Sequence, residues 1–129
     1  MSTNMHLSKT VLLVDDLDIL RKIVRDFLKP LGMEVLETSN APDAIHAARS
    51  HPGTIDLLLT DIDMPRMSGW ESAKQIGALR PGIRILYMSG GISLQEWKDY
   101  KEKPVGTYFI QKPFRLEELK ALLMTILSE

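Results

Sequence analysis

The chain has 129 residues, 44% hydrophobic and 26% charged, with sixteen basic against seventeen acidic side chains and no cysteine. That length suits one soluble globular domain, able to bury roughly two thirds of the surface its unfolded chain exposes. Near-balanced charge removes the electrostatic case for direct nucleic-acid or anionic-membrane binding, and the lack of cysteine excludes disulfides, thiolate zinc sites and thiol nucleophiles.

The first eight residues are polar, without the apolar core of a signal peptide, and are expected to form a flexible N-terminal segment before a single domain over 9–129. Thr10 to Val14 reads as a first strand ending on Asp15 and Asp16. Leu20, Ile23, Val24, Phe27 and Leu28 recur at helical spacing, which predicts a helix capped by Asp16 or Asp18 and closed by Pro30 and Gly32. Met33 to Glu37 is a short second strand. Asn40, with Pro42 in the following turn, starts a second helix that His51-Pro52-Gly53 stops.

Asp56 to Thr60 is a third strand, an apolar run leading straight into Asp61, Asp63 and the Pro65 and Gly69 turn signals. A helix follows from about Gly69 to Leu79. Ile83 to Met88 is the fourth strand, with Ser89-Gly90-Gly91 a loop after it. The polar stretch Ile92 to Lys103 predicts a short fourth helix, in which Trp97 and Tyr100 serve as packing anchors or as a partner patch. Thr107 to Ile110 is the fifth strand, and Leu116, Leu119, Leu123 and Ile126 mark the buried stripe of the last helix.

Strands alternating with helices through short loops imply an α/β fold, with a parallel sheet covered on both faces. No run of eighteen apolar residues predicts a membrane span, and the chain is expected to be cytoplasmic, with no effector domain after the last helix. His6, His46 and His51 lack metal-ligand spacing and receive no role.

Right-handed crossovers place every strand's carboxyl end on one edge of the sheet. That edge collects Asp15 and Asp16, Asp61, Ser89 and Lys112 from four separate strands. If the first and third strands are neighbours, three carboxylates converge and cannot all stay ionised alone. A hard divalent cation resolves this, and Mg2+ suits carboxylates combined with a carbonyl, waters and a phosphoryl oxygen. A carboxylate nucleophile, a metal, an ammonium and a hydroxyl together are an apparatus for phosphoryl transfer.

Asp15-Asp16, Asp61 with Met64-Pro65 and Gly69, Ser89, and Lys112-Pro113-Phe114 resemble the marker residues of the receiver domains of two-component response regulators. The resemblance runs from about Lys9 to Ser128. It implies a doubly wound, flavodoxin-like five-stranded parallel sheet of order 2-1-3-4-5, with helices on both faces. It implies that Asp61 is the phosphoacceptor and that Asp15, Asp16, Asp61 and the backbone carbonyl of Asp63 hold Mg2+. By the same likeness, Ser89 and Lys112 bind the phosphoryl group, Phe109 fills the aromatic switch position, and the Lys112–Pro113 peptide is cis.

The partners so implied are a histidine kinase or histidine phosphotransfer protein as donor, and a downstream protein on the surface of the fourth helix, fifth strand and fifth helix. Phe109 lacks the hydroxyl of the commoner tyrosine, so its switch would act by packing. Asp63 sets an extra carboxylate beside the acceptor, able to orient a water or repel one. The chain is a free-standing receiver or a piece of a longer protein; Tyr87 to Gly91 and Phe109 to Phe114 look like receivers of hybrid sensor kinases.

Two rival readings remain. Asp61-Ile62-Asp63 resembles the first motif of haloacid-dehalogenase-type phosphatases, whose order of acids differs from that found here. A receiver fold serving as a binding module without phosphorylation is the other.

Overall fold

The computed structural model describes residues 8–99 and 106–128. Five strands, β1 (Thr10–Val14), β2 (Glu34–Thr38), β3 (Leu57–Asp61), β4 (Arg84–Ser89) and β5 (Thr107–Gln111), form one parallel sheet of order β2-β1-β3-β4-β5. Between and after them come α1 (Asp18–Leu28), α2 (Ala41–Ser50), α3 (Gly69–Leu79), α4 (Leu94–Asp99) and α5 (Leu116–Leu127), with a short 3-10 turn over Lys29–Leu31. The expected fold and strand order are the ones observed.

Side chains alternate across each strand, and both faces of the sheet are covered. Val11, Leu13, Leu57, Leu59, Leu86 and Met88 pack with Val24, Leu28, Leu119, Leu123 and Ile126 of α1 and α5. Leu12, Val14, Leu58 and Tyr87 pack on the other face with Ala44, Ile45 and Ala48 of α2 and Ala73 and Ile76 of α3. All five residues of β3 are buried, which is why that strand reads as an unbroken apolar run rather than an alternation.

Helix starts follow side-chain chemistry in two places and depart from expectation in a third. Asn40 Oδ1 accepts the Asp43 amide of α2 at 2.8 Å, and Ser68 Oγ accepts that of Glu71 in α3 at 3.3 Å. At α1 the capping residue is Leu17, with no side-chain cap, so neither Asp16 nor Asp18 fills the expected role. Asp15 is turned inward instead, and its Oδ1 accepts the Leu17 amide at 2.9 Å. Ile23, expected on the apolar face of α1, is 47% exposed; Val24 and Leu28 carry the burial, with Arg21 one turn before Val24.

Strands β2 to β5 each end one residue later than their composition suggests, because ladder pairing continues past the apolar run. Asp61 pairs with Met88, and Ser89 with Gln111. Both residues therefore sit in the sheet rather than in the loops after it. Trp97 is buried at 6% exposure, a packing anchor rather than an exposed patch. Tyr100, the last third of the expected fourth helix (residues 100–103) and residues 1–7 lie outside the described residues. No helix among the described residues is long and apolar enough to cross a membrane.

Candidate functional site

Because all five strands are parallel, their carboxyl ends share one edge, and the polar residues predicted for that edge meet there. Asp15 follows β1 and is fully buried, while Asp61 ends β3 at 3% exposure. Oxygens of Asp15, Asp16 and Asp61 lie within 4.8 Å of one another, with Asp16 open to solvent. Lys112, after β5, extends its ammonium between the two buried acids, 3.1 Å from Asp15 Oδ2 and 3.4 Å from Asp61 Oδ2. The Lys112–Pro113 peptide is cis.

Backbone contacts fix these groups. The Lys112 amide donates to the Ser89 carbonyl at 2.8 Å, and the Ile62 amide to the Met88 carbonyl at 2.9 Å. The Asp63 amide donates to Asp61 Oδ1 at 3.1 Å. Gly69 opens α3 directly against β3, where a Cβ would stand 2.3 Å from the Asp61 carbonyl oxygen. Only glycine permits that approach.

Burial raises the pKa of Asp61 to about 6, with Asp15 adding to the rise, while Lys112 and the Asp63 amide oppose it. Three carboxylates against one ammonium leave a local charge of −2 when all are ionised. Two acids are held dry and the third faces water, giving hard oxygen donors with an open side. That donor set fits a small divalent cation that keeps some of its waters.

Ser89 is fully buried, yet its hydroxyl is not directed to Asp61. It donates to Asp63 Oδ2 at 2.6 Å and accepts the amides of Gly91 and Ile92 at 2.9 and 3.1 Å. Phe109 points inward at 7% exposure and stacks on Trp97, with centroids 5.5 Å apart. Trp97 in turn stacks on Trp70 of α3 at 5.6 Å, and Tyr87 tilts against both indoles.

Sequence reasoning missed Arg21, whose Nη1 donates to the Asp15 carbonyl at 2.7 Å while its Nε pairs with Glu37. Burial disfavours this cation, but hydrogen bonds to Glu37 and Asp18 hold its pKa above the ordinary arginine value. Its signal in the sequence was a cation at i, i+3, i+7 spacing with Val24 and Leu28, on the core-facing stripe of α1.

The sequence model of the response regulator receiver domain family matches residues 11–124. The chain belongs to that family. This receiver is 31% identical over 116 residues to the autoinducer 1 sensor kinase/phosphatase LuxN of Vibrio campbellii, a match covering 90% of the chain and 13% of LuxN. It is 30% identical over 111 residues to the response regulator receiver protein CpdR of Brucella abortus, covering 86% of the chain and 90% of CpdR. Among solved structures, a response regulator receiver protein from Sinorhizobium medicae WSM419 superposes with TM-score 0.80 at 29% identity, covering 93% of this chain and 94% of that one.

The chain thus spans about an eighth of LuxN but nearly all of CpdR. The receiver is a phosphoacceptor signalling domain. The family match leaves the haloacid-dehalogenase and binding-module readings without support.

Proposed function

We propose that Asp61 is the phosphoacceptor and that Ser89 and Lys112 bind the group it receives. The observation that carries this reading is a buried carboxylate at a strand end, touched by Lys112 and beside two further acids. Asp15, Asp16, Asp61 and the backbone carbonyl of Asp63 would hold Mg2+, which when bound supplies positive charge for the phosphoryl oxygens. The protein's own part is positioning.

A carboxylate oxygen of Asp61 attacks the phosphorus of a partner's phosphohistidine. The new O–P bond forms as the P–N bond breaks, and the imidazole nitrogen keeps the electron pair and takes up a proton. Lys112 offers its ammonium to the phosphoryl oxygens, and Ser89 its hydroxyl. Attack of water on the same phosphorus returns Asp61 and inorganic phosphate, so the domain promotes only its own phosphorylation and dephosphorylation.

The added charge is read out by movement of the Ser89 loop and repacking of Phe109, changing the surface of α4, β5 and α5 that a downstream protein binds. In this reading the domain works in the cytoplasm. Intact mass after incubation with acetyl phosphate and Mg2+ should show one added phosphoryl group, absent in Asp61→Asn. Equal labelling of the variant would overturn the assignment.

A further inference from the structure

Asp63 carries two side-chain contacts that the phosphoryl-transfer reading does not use. Its Oδ2 accepts the Ser89 hydroxyl at 2.6 Å, the geometry of a strong charge-assisted hydrogen bond, and stands 3.3 Å from the Gly91 amide. A Cβ on Gly91 would lie 3.1 Å from Asp63 Oδ1, so the loop after β4 closes against this carboxylate with little room to spare. A hydroxyl has a single proton to donate. While Ser89 gives it to Asp63, none is left for a phosphoryl oxygen on Asp61.

We infer that the Asp63 side chain is a latch that holds Ser89, and with it the loop of Gly91 and Ile92, in the unphosphorylated arrangement. This rests on the reading of Asp61 as phosphoacceptor. Asp63 is then a positioning residue: it acts through Ser89, and it sets how much of the phosphoryl group's binding is spent on releasing that hydroxyl. A contact made only in the resting arrangement lowers the apparent affinity for whatever stabilises the other. The negative charge of Asp63 also repels a phosphoryl group, and the two effects separate because only the latch requires the Ser89 hydroxyl.

The test is a double-mutant cycle on the full chain, with beryllium fluoride plus Mg2+ as the phosphoryl mimic and affinity measured by calorimetry. Asp63→Ala should bind the mimic about tenfold more tightly than wild type, equivalent to about 1.4 kcal/mol. In a Ser89→Ala background the same substitution should change affinity by no more than about twofold. Asp63→Asn, whose amide oxygen still accepts the hydroxyl, should lie closer to wild type than Asp63→Ala does.

Unchanged or weaker binding by Asp63→Ala would overturn the latch. So would a tenfold gain persisting without the Ser89 hydroxyl, which would assign the effect to charge alone. If wild type itself takes up no mimic, the phosphoacceptor reading fails and the latch with it.

Discussion

Replacing Asp61 with asparagine should stabilise the metal-free protein, because its carboxylate is held at an energetic cost. Burial moves the group from 3.8 to about 6, with Asp15 adding and Lys112 opposing. At about 1.36 kcal/mol for each tenfold change in proton affinity, that rise sets a ceiling of ~3 kcal/mol. Solvent reaching the site through exposed Asp16 screens part of it, which leaves about 1–2 kcal/mol. For 129 residues, with an unfolding entropy of about 2.1 cal/mol/K per residue, that raises Tm by roughly 4–7 °C.

The sign with pH follows from the raised pKa. Below about pH 4 the carboxyl is protonated in both states and costs nothing, whereas above about pH 6 the full cost is present. The wild type should therefore close the gap on Asp61→Asn as pH falls from about 6 to 4. Thermal unfolding followed by circular dichroism in a chelator, at pH 7.5 and 4.5, measures both effects. A variant no more stable than wild type at pH 7.5, or an advantage that grows on acidification, would show that the Asp61 carboxylate carries no such cost. If the acids hold Mg2+ as proposed, adding it should stabilise the wild type more than the variant, which lacks one of the three carboxylates.

Lys112→Ala leaves Asp15 and Asp61 without their shared ammonium, and the metal-free protein should lose about 2–4 kcal/mol in denaturant titration. With Mg2+ present it should still accept phosphate slowly while failing to alter partner binding, as pull-down assays would show. Gly69→Ala drives a Cβ into the Asp61 carbonyl and should cost about 3 kcal/mol or more, visible as a lowered denaturant midpoint. Trp97→Ala removes the ring between Trp70 and Phe109 and should cost ~3–4 kcal/mol, most of it regained in Trp97→Phe.

The layout of the sheet edge was legible because it depends on local signals. Apolar runs ending on Asp15, Asp61, Ser89 and Lys112 place those residues at the ends of parallel strands whatever the details of packing. The strand order came from the family likeness rather than from periodicity, which says nothing of which strands pair. Contacts between distant side chains were not legible. Asp63 looked like a loop carboxylate of uncertain purpose, and its bond to Ser89, 26 positions away, exists only once β3 and β4 lie side by side. Asp16 and Asp18 looked like helix caps because capping is a local preference, but Leu17 takes that place and Asp15 turns toward Lys112. Trp97 sits in a polar stretch whose weak periodicity hides its role, which depends on three rings supplied by α3, β4 and β5.

One carboxylate, at position 61, is proposed to take the phosphoryl group. Treating the protein with acetyl phosphate and Mg2+, reducing the acyl phosphate with borohydride and mapping the product by peptide mass spectrometry reads that residue directly. Conversion of Asp61 to homoserine, with Asp15, Asp16 and Asp63 intact, is the predicted result; reduction at any of those three with Asp61 unmodified would contradict it.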